Sequence, residues 1–428
     1  MTKFATDLMK QQVSEGHSVS LLWPGEMFSL SGKVHIKERK SMNGIGSFEM
    51  IKPLPISYDE GINKIDLFMS KSEKNVFRFF LESLKPDVIH IHTLMGLYSE
   101  FLQVAHEMNI RIVFSAHDYF PICPKVTMIV NNSICDKAHD CFYCKECNNS
   151  ALPIWKIALT QTGLYRRLKN SFLVAKMRKS HRTQFLSEIN ELPELSKNEA
   201  FADEYKSLRE HYKDMLKYMD VIHYNSTITK SVYEEYLGKF DSQLISITHS
   251  DISDNRKEKD FKNDCIKISY MGPNSVAKGF NTLIAALDMV NKETVRCKLN
   301  VFFPMNSERE YIVCHDRYTY ADLKTIFDDT DVMVAPSLCL ETFGYTVLEA
   351  LSYGVPVVVS DHVGAKDIIP QGCGMSYKAG DVEEISKIFS SLTVQTLKEM
   401  NVSILQKAKI KLISELSEEI LQKCYISK

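Results

Sequence analysis

Short apolar runs alternate with amphipathic helical patterns along most of this chain. Such alternation is typical of parallel sheets whose strands are connected by helices on both faces. In the first half we predict helices at residues 73–83 and 100–108, between buried strands. These strands are expected, in one sheet, at residues 18–22, 88–91, 111–115, 220–224 and 243–247. The pattern therefore predicts an α/β domain in the first half of the chain.

The second half starts the same alternation again, after a charged stretch of low apolar content at residues 250–264 that we interpret as a linker. A helix is expected at residues 280–290, and the pattern is mostly helical from residue 382 onwards. The predicted strands are residues 266–270, 298–303, 331–335 and 356–360. Two parallel sheets would then face a central cleft, and open α/β folds bind ligands at the carboxyl ends of their strands.

These patterns divide the chain into four parts. Residues 1–249 are predicted to form the first domain, and residues 250–264 the linker. Residues 265–395 are predicted to form the second domain, and residues 396–428 a set of helices that packs back on the first domain. The predicted fold class is therefore α/β, with two domains of Rossmann type.

Composition excludes several classes of protein. The chain has 428 residues, enough for more than one core, and its formal net charge of −2 gives no reason to expect nucleic-acid binding. No apolar run is long enough for a membrane helix, and residues 1–10 lack the layout of a secretory signal. The 11 cysteines are an odd number and do not suggest a disulfide framework. We therefore expect a cytoplasmic protein.

The most informative segment is Glu341-Thr-Phe-Gly-Tyr-Thr-Val-Leu-Glu349. Gly344, between Phe343 and Tyr345, would let backbone N–H groups approach an anion closely where a helix begins. Glu349 would lie about two turns inside that helix, and Glu341 in the loop before it. A phosphate at the helix start with carboxylates beside it for hydroxyl groups suits a nucleotide-sugar. The pattern is also compatible with an ordinary strand–loop–helix–strand unit that carries surface glutamates.

With several further motifs, this segment resembles the retaining glycosyltransferases of family 4, also called group 1, which have the GT-B fold. The further motifs are Tyr270-Met-Gly272-Pro-Asn-Ser-Val-Ala-Lys278-Gly279, Asp331-Val-Met-Val-Ala-Pro336-Ser337, Val363-Gly364-Ala365 and, in the first half, Ala116-His117-Asp118-Tyr119. Within that family, the runs at residues 93–97 and 117–124 look most like enzymes that build bacterial capsule or exopolysaccharide.

The resemblance implies transfer of a sugar from a nucleotide diphosphate-sugar to a saccharide or lipid-linked acceptor, without a required metal or other cofactor. Glu349 would bind the ribose hydroxyls and Glu341 the donor sugar, while His117 would lie near the reacting centre. Lys278 and the helix start at residues 343–345 would stabilise the charge that builds on the leaving diphosphate. The other donor-binding residues that the resemblance implies are Gly272, Gly279, Phe343, Gly344 and Tyr345.

The chain departs from the family pattern in two respects. Family members usually begin with a strand and a glycine-rich loop before the first helix, whereas this sequence opens at that helix. Pro273 also stands where an arginine is frequent, which leaves Lys278 as the obvious cation of the phosphate site. The alternative function is therefore a non-catalytic pseudo-glycosyltransferase that binds a nucleotide or a protein partner. A nucleotide-sugar epimerase or phosphorylase on the same fold fits the local motifs less well.

Cysteines are concentrated in one short stretch of the first half. Cys135, Cys141, Cys144 and Cys147 lie within thirteen residues, and two pairs of them have C-x-x-C spacing. Four thiolates can bind zinc tetrahedrally and order a loop. We therefore consider a structural zinc site here, with free or packed thiols as the alternative.

A basic segment follows at residues 151–185. It contains no acidic residue, and apolar residues are interleaved with its lysines and arginines. Such a segment can lie on an anionic membrane surface, which would place the protein at the inner face of the plasma membrane. The alternative is a solvated helix face.

Overall fold

The structure is a computed structural model that describes residues 2–29, 31–57, 60–130, 133–135, 140–169, 171, 201–262 and 265–426. Its described strands are β1 (Ser20–Pro24), β2 (His35–Met42), β3 (Ile45–Ile51), β4 (Val88–Ile91), β5 (Arg111–Ala116), β6 (Ile129–Val130), β7 (Ser133–Ile134), β8 (Val221–Tyr224), β9 (Ser242–Leu244), β10 (Ile266–Tyr270), β11 (Cys297–Val301), β12 (Ile312–Cys314), β13 (Val332–Ala335), β14 (Val357–Ser360) and β15 (Gly374–Tyr377).

The described α-helices are α1 (Thr2–Ser14), α2 (Ile65–Phe68), α3 (Lys74–Leu84), α4 (Ser99–Glu107), α5 (Cys144–Cys147), α6 (Ile154–Thr160), α7 (Gly163–Leu168), α8 (Ala202–Leu216), α9 (Thr227–Leu237), α10 (Phe280–Val290), α11 (Leu323–Asp328), α12 (Tyr345–Ser352), α13 (Val382–Ser391), α14 (Val394–Lys407) and α15 (Ile413–Ile420). Short 3-10 turns lie at Val276–Lys278, Tyr320–Asp322 and Gly364–Ile368, and a π-helical turn at Leu421–Tyr425.

Two parallel sheets organise the molecule. In the first half β4, β5, β8 and β9 form a four-stranded sheet in that order, and every pair in it is parallel. In the second half a six-stranded parallel sheet has the order β12-β11-β10-β13-β14-β15. Strands such as Val221–Tyr224 and Val357–Ser360 are buried along their whole length, as sheets covered on both faces require. The predicted α/β class is therefore confirmed.

One part of the sheet prediction is wrong. The strand expected at residues 18–22 is observed as β1, but it pairs in parallel with β3 in a separate three-stranded sheet, order β1-β3-β2. The antiparallel hairpin of β2 and β3 was not predicted, because β2 is highly charged and mostly exposed. Its turn residues Asn43 and Gly44 have φ angles of 52° and 78°. Asn-Gly is the preferred sequence for such a turn, so this dipeptide was the available signal.

The last helices contact the first half of the chain. The Arg111 side chain at the start of β5 donates to the Cys424 carbonyl at 2.6 Å. Ser417 donates to the Glu15 carboxylate at 2.6 Å, next to the end of α1. The stretch predicted as a linker has no helix or strand among its described residues, and Arg256 fixes it by donating to the Ile404 and Ala408 carbonyls.

A chain of buried hydrogen bonds crosses the four-stranded sheet. His90 Nε2 and His223 Nδ1 each lie 2.7 Å from the Ser115 hydroxyl, which is 1% exposed. His90 Nδ1 lies 2.7 Å from the Tyr425 hydroxyl, and His223 Nε2 lies 2.8 Å from the Ile245 carbonyl. Both imidazoles therefore have partners for both ring nitrogens, and they hold strands and the C-terminal turn together.

The histidines in and beside this chain are buried as neutral groups. Burial lowers the pKa of His223 to about 4 and that of His92 to about 3. Burial, together with the neighbouring histidines, also holds the pKa values of His90 and His117 well below the usual range. Protonating any of them in the folded protein would place a positive charge where the ring is partly or fully removed from water.

Mild acid is therefore expected to destabilise the protein. An unfolded histidine has a pKa near about 6.5 and binds protons below it, whereas these folded histidines do not. Their stabilising contribution is complete above about pH 6.5 and is lost as the pH falls towards the folded pKa values. Between pH 7 and pH 5 we expect the melting temperature to fall by roughly 5 °C or more. Differential scanning calorimetry at several pH values between 7 and 5 measures this change in melting temperature.

His223→Gln should reduce this pH dependence, because it removes one titrating group from the core. His17→Gln is the matched control, since His17 is exposed, and it should leave the pH dependence unchanged. A melting temperature that stays constant from pH 7 to pH 5 in the wild type would contradict the interpretation.

Candidate functional site

A cavity of about 420 Å³ opens at the carboxyl edge of the six-stranded sheet. It lies where β10 and β13 end and α12 begins, which is where parallel sheets place ligands. The predicted site residues that line it are Gly272, Lys278, Glu341, Gly344, Tyr345 and Glu349. Lining residues that were not predicted include Tyr318, Thr319, Tyr320, Ser337 and Thr346. The first three belong to a loop with no recognisable motif.

Lys278 and Glu341 form an ion pair inside the cavity, with 3.1 Å between Nζ and Oε1. Burial alone would lower the pKa of Lys278, but Glu341 and Cys339 together outweigh burial and raise this pKa. Lys278 therefore keeps its positive charge at neutral pH. Pro273 also lines the cavity, and its carbonyl accepts a hydrogen bond from the Tyr270 hydroxyl at 2.7 Å. It stands where the family that this sequence resembles frequently has an arginine.

The loop before α12 is held in place by the turn that follows β14. Glu341 N–H donates to His362 O at 2.9 Å, and Gly364 N–H donates back to Glu341 O at 3.1 Å. Gly344 has a φ of 109°, a conformation that favours glycine, and it ends the loop at the first turn of the helix. Tyr345 and Thr346 of that first turn line the cavity, and Val347 N–H donates to the Gly344 carbonyl at 3.2 Å. The N–H groups of a first helical turn make no i→i−4 hydrogen bond, so they are suited to an anion.

Glu349 is almost fully buried, at 3% exposure, although it lines the cavity. Its Oε1 lies 3.1 Å from His249 Nε2, a residue that sequence reasoning missed. Tyr320 and Tyr345 line the cavity beside this pair, and their rings contact the His249 imidazole. The cavity therefore combines the Glu349 carboxylate and aromatic rings with a helix start and the Lys278–Glu341 ion pair.

Gly279 and Phe343 were predicted to bind the donor, but they do not line the cavity. Gly279 has a φ of 73° and packs so closely on Pro336 that an added Cβ would lie 1.6 Å from the Pro336 carbonyl oxygen. Phe343 is 3% exposed, and its carbonyl accepts a hydrogen bond from Ala365 N–H at 2.7 Å. Both residues support the loops that carry Lys278 and Gly344.

His117 follows β5 and meets the second half of the chain through its backbone. The Thr342 hydroxyl donates to His117 O at 3.0 Å, so His117 lies next to the loop between Glu341 and Gly344. Its Nε2 lies 3.2 Å from His92 Nδ1, and the two rings stack at 5.4 Å. His117 does not line the cavity itself.

The predicted zinc site is not supported. Within the described part of the chain, which includes all four cysteines, no group of three or more His, Cys, Asp or Glu side chains is placed to hold a metal ion. Cations lie beside two of the thiols: Arg209 donates to Cys141 Sγ at 3.2 Å, and burial raises the pKa of the Cys147 thiol although the Lys125 ammonium beside it acts in the opposite direction. Arg209 and Lys125 are therefore among the partners that the structure gives to Cys141 and Cys147.

The basic segment is described only up to residue 169, together with residue 171, and its remainder lies outside the described residues. Its described part forms α6 and α7, and several large apolar side chains on these helices are exposed. They are Trp155 (63%), Leu159 (54%), Leu164 (68%) and Leu168 (47%). Of the helices that the structure describes, none is both long and apolar enough to cross a membrane.

Solved structures with the same architecture are glycosyltransferases of the GT-B fold. Sucrose-phosphate synthase from Thermosynechococcus elongatus superposes with a TM-score of 0.54 at 14% identity, covering 98% of this chain and 92% of that one. A structure described as trehalose-6-phosphate from E. coli bound with UDP-2-fluoro glucose gives 0.53 at 11% identity, covering 100% and 96%. An α,α-trehalose-phosphate synthase (UDP-forming) from Burkholderia xenovorans, in complex with glucose-6-phosphate, gives 0.51 at 10% identity, covering 96% and 94%. At these identities the likeness shows the fold alone.

Sequence comparison identifies the family. The profile "Glycosyltransferase Family 4" matches residues 1–183, and the profile "Glycosyl transferases group 1" matches residues 266–393. The chain belongs to the group 1, family 4 glycosyltransferases, as its motifs predict. A curated relative, an uncharacterized 41.2 kDa protein in the cps region of Klebsiella pneumoniae, is 25% identical over 144 residues. That match covers 32% of this chain and only 39% of the relative.

Gly279→Ala should destabilise the protein because of its contact with Pro336. A left-handed φ alone costs an alanine about 1 kcal/mol, and the clash with a backbone carbonyl adds to that cost. We expect a loss of roughly 2–4 kcal/mol in the free energy of unfolding, measured by chemical denaturation. Gly16→Ala is the matched control: its φ is 91°, but nothing lies within 4 Å of an added Cβ. Equal losses in the two variants would show that the contact is unimportant.

Proposed function

We propose that this protein is a retaining glycosyltransferase that transfers a sugar from a nucleotide diphosphate-sugar to a saccharide acceptor. The observation that carries the proposal is the cavity at the sheet edge, where Lys278, a helix start and the buried Glu349 converge. Structures of similar fold contain UDP-2-fluoro glucose and glucose-6-phosphate, which is the combination of donor and acceptor chemistry proposed here. Family membership supports the same reaction class.

Each polar group has a task in this reaction. The C1–O bond to the diphosphate breaks with its electron pair going to the diphosphate, a bond from C1 to the acceptor oxygen forms, and the proton of the acceptor hydroxyl passes to an oxygen of the leaving diphosphate. Lys278 and the first turn of α12 stabilise the negative charge that builds on the diphosphate. Glu349 accepts hydrogen bonds from the ribose hydroxyls, and Glu341 contacts the donor sugar. His117 lies across the Thr342 contact, on the side from which the acceptor would approach.

We further propose that residues 1–249 bind the acceptor and residues 265–395 the donor, and that no divalent metal is required. The acceptor would be a lipid-linked saccharide in capsule or exopolysaccharide synthesis. Support for this pathway comes from the relative in a cps region and from the motifs in the first half of the chain. Pro273 in place of the frequent arginine and the lysine–glutamate pair keep the pseudo-glycosyltransferase as the alternative outcome of the tests below.

Nucleotide binding and turnover test the proposal. UDP, ADP and GDP, and sugars linked to them, are screened by thermal shift, because a ligand that binds the folded state raises its melting temperature. Sugar release or transfer is then followed with the donors that bind. Lys278→Ala is expected to weaken binding about tenfold or more, since it removes the cation that faces the phosphates.

His117→Ala should lower turnover more than donor binding, because His117 does not line the donor cavity. Lys267→Ala is the matched control for a removed cation, since Lys267 pairs with Asp329 at the opposite edge of the same sheet. Binding without any turnover in the wild type would favour the pseudo-glycosyltransferase. Absence of binding to every nucleotide and nucleotide-sugar would exclude the transferase and also a pseudo-glycosyltransferase that binds a nucleotide.

We also propose that α6 and α7 dock on an anionic membrane surface. Support comes from the exposed apolar side chains of these helices and from the exposed cations Lys156, Arg167 and Lys169 beside them. Apolar side chains that enter the headgroup region and cations that meet anionic lipid act together in such surfaces. A lipid-linked acceptor would then be presented at the same membrane.

Vesicle flotation tests this docking. The wild type should float with vesicles that contain an anionic lipid and should bind neutral vesicles much more weakly. The double variant Trp155→Ser/Leu164→Ser should lose most of the binding. Met289→Ser is the matched control, because Met289 is also exposed, at 52%, but lies in the second half of the chain. Equal binding of the double variant and the wild type would contradict the proposed surface.

A further inference from the structure

His249 is a fully buried histidine at the edge of the candidate donor cavity. It follows β9, at the start of the stretch that connects the two halves of the chain, and its exposure is 0%. Its Nε2 lies 3.1 Å from Glu349 Oε1, although the two residues are 100 positions apart in the sequence. Neither the family motifs nor the apolar pattern assigns a role to this residue.

The hydrogen-bond partner of the second ring nitrogen, Nδ1, indicates which tautomer of His249 is present. Asp251 N–H donates to His249 Nδ1 at 3.3 Å, so Nδ1 is an acceptor. In a neutral imidazole the proton is then on Nε2, which donates to the Glu349 carboxylate. The hydrogen bond therefore has a defined direction, from His249 to Glu349.

The imidazole is also fixed in orientation by its neighbours. The Tyr345 ring packs against it edge-on with 5.1 Å between centroids, and the Tyr320 ring lies at 5.0 Å. Asp251, which contributes the N–H to Nδ1, is itself paired with Lys3 of α1 at 2.5 Å. These contacts fix the orientation of the imidazole ring, and the hydrogen bond from its Nε2–H group then fixes the orientation of the Glu349 carboxylate.

A buried carboxylate needs such a partner. Removing a carboxylate from water is costly unless hydrogen bonds compensate it, and an unpaired one would turn towards solvent or bind a proton. A carboxylate oxygen that accepts from His249 still leaves acceptor positions on the group for ligand hydroxyls. Since Glu349 lines the cavity, those positions are available to a ligand.

We propose that His249 is a positioning residue that orients the Glu349 carboxylate for the ribose hydroxyls of the nucleotide. The inference rests on the proposed function, in which Glu349 contacts the ribose. It assigns to the segment between the two halves of the chain a part in recognising the ribose of the donor.

Discrimination against deoxyribose provides the test. The tightest binder among UDP, ADP and GDP is titrated by calorimetry alongside its 2′-deoxy and 3′-deoxy analogues. In the wild type the analogue that lacks the contacted hydroxyl should bind about tenfold more weakly, as expected for the loss of a hydrogen bond to a carboxylate. His249→Phe keeps an aromatic ring but cannot donate, and its ratio of dissociation constants should fall to about 1–2. His249→Gln can donate to Glu349 and accept from Asp251, so it should keep most of the discrimination.

A purely structural role would weaken all of the nucleotides equally and leave their ratio unchanged. His223→Gln is the matched control, because His223 is also buried but its hydrogen bonds are to Ser115 and the Ile245 carbonyl and not to Glu349, so it should keep the wild-type ratio. Full discrimination in His249→Phe, or loss of discrimination in His249→Gln as complete as in His249→Phe, would overturn the inference. Failure of the proposed function has a different signature: no nucleotide binds the wild type, or Glu349→Ala discriminates as well as the wild type.

Discussion

The short loop between Glu341 and Gly344 is the constraint on which the candidate site depends. Backbone hydrogen bonds tie it to the turn after β14, and the Thr342 carbonyl accepts from the Thr229 hydroxyl of the first half of the chain at 3.2 Å. Gly364 permits this close approach, because an added Cβ there would lie 2.4 Å from the Thr342 carbonyl oxygen. The loop therefore carries a cavity carboxylate, precedes the helix start and joins both halves of the chain at once.

A strand or helix could be predicted from the sequence only where its burial produces a recognisable pattern of apolar residues. Strands buried on both faces leave an apolar run in the sequence, so β10 and α10 are observed at the residues that the pattern predicts. Strand β2 leaves no such run, because its outward-facing positions are charged. Short edge strands such as β12 and β15 are also missing from the prediction, since a few residues at the edge of a sheet give little periodicity.

Among the residues in and around the cavity, some could be predicted from sequence motifs and others only from contacts in the folded structure. Glu341, Lys278 and Glu349 could be selected because they belong to motifs that recur at fixed spacing in one family. His249 could not, because its contact with Glu349 exists only once the chain between the two sheets has returned to the cavity. Periodicity also could not show that Gly279 supports a loop from behind, as this follows from the distance to one carbonyl group.

The ion pair between Lys278 and Glu341 also determines what a donor must do on binding. Two opposite charges in a partly buried site stabilise each other, so neither has to be neutralised while the cavity is empty. Under the proposed function, a diphosphate replaces Glu341 as the partner of Lys278, and the sugar hydroxyls replace Lys278 as the partner of Glu341. Each charge exchanges one polar partner for another. Binding therefore leaves both groups hydrogen-bonded, whereas a ligand with only the diphosphate or only the sugar provides a new partner for just one of them.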